Sequence, residues 1–300
     1  MELYHNPVML QECIQALNIN PDGIYIDVTY GGGGHSKEIL KHLKAGRLIA
    51  FDQDADAVQN AVADKRLTFV RENFSTVLSR LKEMQCMPVD GLLADLGISS
   101  HQIDEPLRGF STRFDAELDM RMDQRTTLTA KQIVNTYSVE ALVKLFSNYG
   151  EISNSKQLAN AIEKERRSAP INTTEQLKSA IKSCYSPDRE HQYMARVFQS
   201  LRIEVNHELQ VLQELLEQTP QLIKKGGRLV VIAYHSLEDR MVKNMINTGN
   251  VEGELQKDFY GNVIGRVFHQ LTKKPALPAD EELKSNPRSR SARLRIAERI

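Results

Sequence analysis

Four consecutive glycines followed by a histidine stand between an apolar run and an amphipathic segment. Gly31 to Gly34 and His35 follow the apolar run, and Asp52 ends the next apolar run, 21 residues after Gly31. Glycines let a bound ligand approach the backbone closely. A carboxylate about 20 residues further on can accept hydrogen bonds from ribose hydroxyls. The spacing therefore predicts a nucleotide-like ligand at this turn.

The glycine turn excludes two common phosphate-binding loops. A dinucleotide fingerprint needs a third glycine so that the following helix can pack closely, and this chain has Ser36 or Lys37 there, depending on the starting glycine. A P-loop needs Gly-Lys-Ser or Gly-Lys-Thr after the glycines, and that tripeptide does not follow them. A ligand with a ribose and no phosphate fits better. S-adenosylmethionine meets this description, and its sulfonium is a cation.

The first hundred residues alternate between apolar runs and amphipathic segments. Strands are predicted at 24–29, 47–51, 67–70 and 91–94, and helices at 36–44, 54–63 and 75–84. This alternation predicts a parallel sheet that is covered on both faces. Asp95 follows the fourth strand as Asp52 follows the second. Ligands of such sheets bind at the carboxyl ends of the strands, so both carboxylates are expected at the binding edge.

The pattern is helical from about residue 128 to residue 217. Apolar residues recur three and four apart at 139–146, 157–165, 174–182 and along one stretch at 193–216. Strand patterns return at 228–233, 263–271 and 292–296, with loops expected at 247–262 and 272–291. We therefore predict a discontinuous α/β domain, residues 1–105 and 212–300. An all-helical domain, residues 106–211, is inserted into it.

Charge is balanced over the 300 residues, with 39 basic and 39 acidic side chains. Residues 1–105 carry 9 basic and 15 acidic side chains, an excess that suits a cationic ligand. Residues 212–300 carry 15 basic and 11 acidic side chains, so a polyanion could be held there locally. A uniformly basic nucleic-acid-binding protein is excluded.

The cysteine spacing and the apolar pattern bear on the compartment. Cys13, Cys86 and Cys184 are too far apart for a zinc or redox motif, and their odd number argues against a disulfide framework. The first residues lack the pattern of a signal peptide. No run of 18 apolar residues occurs in the sequence. We expect a protein of the reducing cytoplasm.

Seven ordered segments carry a resemblance to a known family. They are Asp27–Ser36, Ala94–Ser100 with Gln102 and Asp104, Arg108–Ser111, Leu118–Asp123, Arg196–Asn206, His235–Arg240 and Asn286–Ser291. In residue type and order they resemble the RsmH (MraW) family of bacterial small-subunit ribosomal RNA cytosine-N4 methyltransferases. The resemblance extends over essentially the whole chain.

The resemblance implies the Rossmann-like sheet of a class I S-adenosylmethionine-dependent methyltransferase. It implies cofactor contacts at Gly33, Gly34, His35, Asp52, Phe74, Asp95 and Gln102. The implied reaction is methyl transfer to the exocyclic N4 of a cytidine in the decoding region of 16S ribosomal RNA. The implied partner is the small ribosomal subunit, and the family also suggests a homodimer.

The chain departs from the family pattern beside these contacts. The family more often has Gly, Phe and Arg at the positions of Val28, Tyr30 and Gly32. It more often has Ser-Phe where Ala233 and Tyr234 stand. These departures leave the implied contact residues unchanged and bear on the rigidity of the loops and on the target pocket.

Asp95 is the candidate catalytic residue. The N4 amine of cytosine is a poor nucleophile because its lone pair is delocalised into the ring, and an acceptor for its hydrogens would make it more reactive. Asp95 and the loop 97–104 could supply that acceptor, whereas the resemblance assigns Asp95 to cofactor binding, so both roles stay open. Methylation of a ring carbon is not expected, because Cys86 precedes the fourth strand and does not lie in the loop after it.

Contacts with RNA phosphates are predicted at four arginines, Arg108, Arg121, Arg288 and Arg290. Salt bridges between the two domains are the alternative for the first two, and ordinary surface charge is the alternative for the last two. His235 is followed closely by Glu238 and Asp239. A helix cap or a pocket wall is expected there, and no metal.

The target base must be single-stranded or flipped out of a helix to reach the cofactor. The inserted helical domain is expected to form the other wall of that cleft. Three alternatives remain open. They are a methyltransferase acting on another nucleic acid or on protein, a nicotinamide-dependent oxidoreductase, and an RNA-binding module without catalysis.

Overall fold

The structure is a computed structural model that describes residues 7–261 and 263–300. The chain divides into two compact units, one ending at Gly97 and resuming at Leu209–Ile300, and the other spanning Ile98–Glu208. The sequence predicts the first boundary after residue 105 and the second after residue 211. These positions are eight and three residues later than the boundaries in the structure. Ile98 begins the second unit because its side chain packs on the apolar core of that unit.

The described residues form helices in both units and strands in the first unit. The helices are α1 (Leu10–Leu17), α2 (Gly34–His42), α3 (Ala55–Gln59), α4 (Val77–Glu83), α5 (Ser100–Asp104), α6 (Ala130–Thr136), α7 (Val139–Gly150), α8 (Ser155–Arg166), α9 (Thr174–Ala180), α10 (Glu190–Asn206), α11 (Glu208–Leu222), α12 (Ser236–Thr248) and α13 (Asp280–Ser285). The strands are β1 (Ile24–Asp27), β2 (Arg47–Phe51), β3 (Leu67–Val70), β4 (Val89–Asp95), β5 (Ile223–Ala233), β6 (Gln256–Lys257), β7 (Val263–Ile264), β8 (Phe268–Gln270) and β9 (Arg293–Arg299).

The main sheet has the strand order β3-β2-β1-β4-β5-β9-β8. Strands β1 to β5 are parallel, β9 pairs antiparallel with β5 and with β8, and β6 and β7 form a separate ribbon. The chain moves outward from β1 to β3 and then crosses back to β4. The switch point between β1 and β4 is where sheets of this kind bind ligands. The predicted Rossmann-like α/β fold is confirmed.

The strands are apolar because both faces of the sheet are covered. Leu48 and Leu93 belong to one buried cluster, whereas their neighbours Ile49 and Leu92 belong to another. Successive side chains of a strand point to opposite faces, so continuous apolar runs are expected wherever both faces are buried. This double burial fixes the strand ends on which the candidate site depends.

The second unit is helical around its own core. Helix α7 packs against α8 and α10, and the buried residues include Leu145, Phe146 and Leu201. Helices α6 and α9 begin after Thr129 and Thr173, whose hydroxyls accept hydrogen bonds from backbone N–H groups three residues further on. Such caps satisfy N–H groups that have no partner within the helix.

The single helical stretch expected at 193–216 is wrong. Helix α10 ends at Asn206, His207 has a left-handed φ of 51°, and α11 begins at Glu208. The apolar period continues through the break, so the pattern does not reveal it, and histidine tolerates the left-handed region better than most residues. The segments expected as loops also contain β6 and α13, and residue 262 lies outside the described residues.

Within residues 7–261 and 263–300, no helix combines the length and the apolarity that crossing a membrane requires.

Gly249 ends α12 at a point where the chain leaves no room for a side chain. Its φ is +81°, and a Cβ there would lie 1.9 Å from the carbonyl oxygen of Gly265. Gly226 has a similar φ of +77° but has nothing within 4 Å of such a Cβ.

We expect Gly226→Ala to lower the free energy of unfolding by about 1 kcal/mol through backbone strain alone. Gly249→Ala should cost a further ~1–3 kcal/mol, because the neighbouring loop must move.

Urea unfolding of both variants beside the parent protein measures the difference. Equal destabilisation by the two substitutions would contradict the packing of Gly265 against the end of α12.

Candidate active site

Three aspartates lie at the carboxyl ends of neighbouring strands in the first unit. Asp27 is the last residue of β1, Asp52 follows β2, and Asp95 is the last residue of β4. Strands β1 and β4 flank the switch point of the sheet, so the prediction that Asp52 and Asp95 share one edge is confirmed. The sequence separations of these residues are large, and the parallel register brings them together.

The turn between β1 and α2 is held from several directions. Gly33 has a φ of +74°, and a Cβ there would lie 2.5 Å from the Tyr30 hydroxyl oxygen. That hydroxyl donates to the carbonyl of Asn60 at 2.9 Å. The N–H of Gly31 donates to Asp52 Oδ2 at 2.7 Å. Only glycine fits at position 33 without strain, and the turn presents bare backbone to a ligand.

Asp52 is fixed by the backbone and retains capacity to accept. Oδ2 accepts the Gly31 N–H, and Oδ1 accepts the Asp54 N–H at 2.9 Å. Burial raises the pKa of Asp52 to about 6, against the lowering effect of these hydrogen bonds. A carboxylate has about four lone-pair positions, so both oxygens can still accept ribose hydroxyls.

Asp27 is buried and uses its carboxylate within the protein. Ser36 Oγ donates to Oδ2 at 2.6 Å, and the Thr29 N–H donates to Oδ1 at 3.1 Å. Burial raises the pKa of Asp27, although these hydrogen bonds oppose the rise. Thr29 Oγ1 also accepts the backbone N–H of Asp95 at 2.7 Å. Asp27 and Thr29 therefore tie the end of β1 to α2 and to the end of β4.

Asp95 is partly exposed, with 24% of its side chain accessible. Oδ1 accepts a hydrogen bond from the Tyr234 hydroxyl at 2.7 Å, whereas Oδ2 lies 3.9 Å from His35 Nδ1. Burial raises the pKa of Asp95 to about 6. His35 and Tyr234 oppose the rise, and Asp27 and Glu238 add to it. Oδ2 is thus the oxygen better placed to receive a proton from a ligand.

His35 links this aspartate to the segment before α1. Its Nε2 lies 3.0 Å from the carbonyl oxygen of Val8. A carbonyl only accepts, so Nε2 carries a proton and donates it to Val8, and Nδ1 faces Asp95. Gly34 begins α2 beside it, and a Cβ there would lie 2.2 Å from Pro7 Cγ. The glycine turn and the N-terminal segment therefore pack closely.

Phe74 and Gln102 are placed on different units. Phe74 begins a short 3-10 turn after β3 and packs partly on the core of the first unit. Gln102 is buried in α5 of the second unit, where its side-chain oxygen accepts the Ser99 N–H at 3.0 Å. The structure brings Gly33, Gly34, His35, Asp52 and Asp95 together within the first unit. A cofactor contact at Gln102 stays a prediction.

The arginines predicted to contact RNA fall into two groups. Arg108 is buried, and its Nη2 donates to the carbonyls of Arg121 and Met122 at 2.9 and 3.2 Å. Arg121 forms a fork with Asp119 at 2.8 and 2.7 Å. These two side chains serve contacts within the second unit.

The two C-terminal arginines lie in a 3-10 turn before β9. Arg288 and Arg290 belong to Pro287–Ser291, and Arg290 is exposed. Arg293 and Arg295, further along the chain, contact Asp239, with Arg295 Nε 2.6 Å from Oδ1. Arg108 is buried and Arg121 is paired with Asp119, whereas Arg290 is exposed. Of the four arginines predicted to contact RNA, Arg290 is therefore the best placed to meet a phosphate.

His235 caps α12, as expected. Its Nδ1 accepts the Glu238 N–H at 3.4 Å, and the Glu238 carboxylate accepts the N–H groups of His235 at 3.4 Å and of Tyr234 at 2.9 Å. This reciprocal cap fixes the chain at the point where β5 ends. It therefore also fixes the backbone of Tyr234.

The MraW methylase family model matches residues 2–300. The chain belongs to the MraW methylase family. It is 55% identical over 298 residues to ribosomal RNA small subunit methyltransferase H of Amoebophilus asiaticus, covering 99% of this chain and 96% of that one. It is 54% identical over 300 residues to the protein of the same name from Cytophaga hutchinsonii, covering 99% and 100%.

Likeness to solved structures is weaker. An rRNA methylase from Streptococcus thermophilus is 10% identical, with a TM-score of 0.40 over 97% of this chain and 93% of that chain. At that score the likeness supports no conclusion about function.

Sequence reasoning missed two residues of this MraW methylase site. Thr29 accepts the N–H of Asp95, and Tyr234 donates to its carboxylate. Thr29 directly follows Asp27 and Val28 at the end of a predicted strand, which is a usable signal. For Tyr234, the sequence gave no signal except the departure from the family pattern. Its partner Asp95 lies 139 residues away in the chain, so no local spacing connects the two.

These residues fit S-adenosylmethionine. The glycine turn leaves bare backbone for a close approach, and Asp52 retains lone pairs for ribose hydroxyls. Asp95 provides a carboxylate that is ionised at neutral pH, and negative charge favours a cationic ligand. The site therefore suits a hydroxylated, positively charged molecule better than a phosphorylated one.

The two raised pKa values predict that cofactor affinity depends on pH. Asp52 and Asp95 titrate at about 6 in the free protein, so both are largely protonated at pH 5 and ionised above pH 7. The ionised forms bind ribose hydroxyls and a sulfonium better. We expect the affinity for S-adenosylmethionine to rise at least about tenfold between pH 5 and pH 7.5. Calorimetry across this range measures the change.

Asp95→Asn should remove the contribution of Asp95 and flatten the pH profile. An affinity that stays constant or falls as the pH rises would contradict this assignment.

Proposed function

We propose that this MraW methylase transfers a methyl group from S-adenosylmethionine to the exocyclic N4 of a cytidine in the decoding region of 16S ribosomal RNA. The observation that carries the proposal is the family match over residues 2–300. It is supported by identities of 50–55% to eight proteins called ribosomal RNA small subunit methyltransferase H. The acidic edge around Asp52 and Asp95 supplies the chemistry that this reaction needs.

The reaction is an in-line displacement at a methyl carbon. S-adenosylmethionine, when bound, supplies a methyl group on a cationic sulfur that leaves as a neutral thioether. The protein must hold the attacking nitrogen about 3–3.5 Å from that carbon and in line with the leaving sulfur. The tightly packed glycine turn at Gly33 and the fixed carboxylate of Asp52 provide a rigid support for this alignment.

Asp95 acts on the amine. As the N4–carbon bond forms, the nitrogen gains positive charge and must lose one of its two protons. Oδ2 of Asp95 accepts a hydrogen of the amine, which draws the nitrogen lone pair toward the methyl group, and then takes the released proton. A pKa of about 6 keeps the carboxylate ionised at neutral pH and allows it to pass the proton on to water.

The second unit, residues 98–208, is the proposed RNA-recognition domain. Arg108 and Arg121 stabilise its loop around Asp119, and this loop lies in one of the segments that resemble the family. Phosphate contacts are assigned to Arg288 and Arg290. We propose further that the protein acts as a homodimer in the cytoplasm, on the small ribosomal subunit, as a step of ribosome biogenesis.

The product identifies the reaction. Undermethylated small subunits are incubated with the protein and S-adenosylmethionine labelled in its methyl group, and their nucleosides are separated by mass spectrometry. We expect label in one N4-methylcytidine. Label in 5-methylcytidine, in another nucleic acid or in protein would overturn the proposal.

The same assay tests Asp95. Asp95→Asn should lower turnover at neutral pH by about 100-fold, as for loss of one positioned catalytic group. Asp22→Asn is the matched control, because Asp22 lies before β1 at the opposite edge of the sheet and accepts the Ala45 N–H. Its turnover should stay unchanged. Full activity of Asp95→Asn would remove Asp95 from the chemistry.

Arg290 is expected to act through a phosphate. Arg290→Ala should raise the KM for small subunits, leave kcat unchanged, and reduce the salt dependence of binding by about one unit of slope. Lys284→Ala, which removes an exposed charge of α13, is the control. An unchanged KM and an unchanged salt slope would exclude the contact.

A further inference from the structure

We infer that Tyr234 is a positioning residue for the methyl transfer: its hydroxyl holds one oxygen of Asp95 and thereby directs the other oxygen to the reacting amine. The inference rests on the proposed function. It concerns a residue at which the chain departs from the family pattern.

Tyr234 reaches Asp95 from the neighbouring strand. Asp95 ends β4 and pairs in register with Ile232 of β5, and Tyr234 follows the end of β5 by one residue. The Tyr234 hydroxyl donates to Asp95 Oδ1 at 2.7 Å. The contact therefore bridges the ends of two adjacent parallel strands.

The tyrosine is itself held in place. Its backbone N–H donates to the buried carboxylate of Glu238 at 2.9 Å. Its ring lies beside Gly97, where a Cβ would be 3.4 Å from ring atom Cδ2. A hydroxyl on a ring that is fixed at both backbone and face can orient a carboxylate at little cost in side-chain entropy.

Asp95 is also held through its backbone. Its backbone N–H donates to Thr29 Oγ1 at 2.7 Å. Oδ2 lies 3.9 Å from His35 Nδ1, which is longer than a hydrogen bond. Oδ1 already accepts the Tyr234 hydroxyl, so Oδ2 has the greater remaining capacity to accept a hydrogen from an amine.

The titratable groups that face Asp95 come from several elements: Cys13 of α1, Asp27 of β1, His35 of α2, Tyr234 after β5 and Glu238 of α12. Burial raises the pKa of Asp95, and the Tyr234 hydroxyl opposes that rise because it favours the ionised form. Burial also raises the pKa of Tyr234 well above its usual value. The hydroxyl therefore stays protonated and remains a donor throughout the working pH range.

Tyr234→Phe removes the hydroxyl and retains the ring. Tyr25→Phe is the matched control, since Tyr25 is a buried tyrosine of β1 whose hydroxyl accepts the Asn20 N–H at 2.7 Å, away from the site. The pair separates loss of this one hydrogen bond from loss of a buried hydroxyl in general.

The first measurement uses the protein without cofactor. The side-chain carboxyl carbons of aspartate are labelled with ¹³C and followed by NMR from pH 4 to pH 9, with Asp95→Asn to assign the signal. We expect Tyr234→Phe to move the Asp95 midpoint upward by about one pH unit. Tyr25→Phe should leave the midpoint unchanged.

The second measurement is the pH profile of kcat/KM for S-adenosylmethionine with small subunits as the acceptor, because this ratio reports ionisations of the free protein. Tyr234→Phe should be slower at every pH because Asp95 loses its orientation, and its deficit should be about threefold larger at pH 6.5 than above pH 8.5 because the acid limb moves upward by the same amount as the midpoint. An unmoved Asp95 midpoint, or a Tyr234→Phe profile equal to that of Tyr25→Phe at every pH, would overturn the inference. If the midpoint moves but the parent protein methylates no RNA, the contact stands and the proposed function fails.

Discussion

The structure of the first unit depends on burying carboxylates at the edge of a parallel sheet. Transfer of a carboxylate away from water disfavours its charge, and burial raises the pKa of Asp27, Asp52 and Asp95. Their hydrogen bonds come from backbone N–H groups and hydroxyls of neighbouring segments. These dipoles orient the oxygens without neutralising them. The edge therefore keeps a negative potential, which favours the binding of a cationic ligand.

The strand order provides that edge. Placing β1 beside β4 brings Asp27 next to Asp95, and Thr29 Oγ1 connects the two strand ends directly. The chain leaves this edge after β4 to form the helical second unit and returns through α11 to β5. The insertion thus begins at the strand end that supplies the candidate catalytic residue.

Sequence reasoning succeeded where a local pattern has one physical solution. Short apolar runs gave β2 and β3 with their observed bounds, and strand-end position gave Asp52 and Asp95. It failed where tertiary packing decides. The apolar period of α10 and α11 continues through the left-handed His207. The burial of Arg108 depends on carbonyls 13 and 14 residues away, and the partner of Tyr234 depends on the register of β4 with β5.

The central claim is that two carboxyl groups with pKa values near 6 receive the cofactor as anions. Calorimetry of S-adenosylmethionine binding at pH 6, in buffers of different ionisation enthalpy, counts the protons exchanged. We expect release of roughly one proton per site, because a bound cation and ribose lower both pKa values. No proton release, or net proton uptake, would contradict the claim.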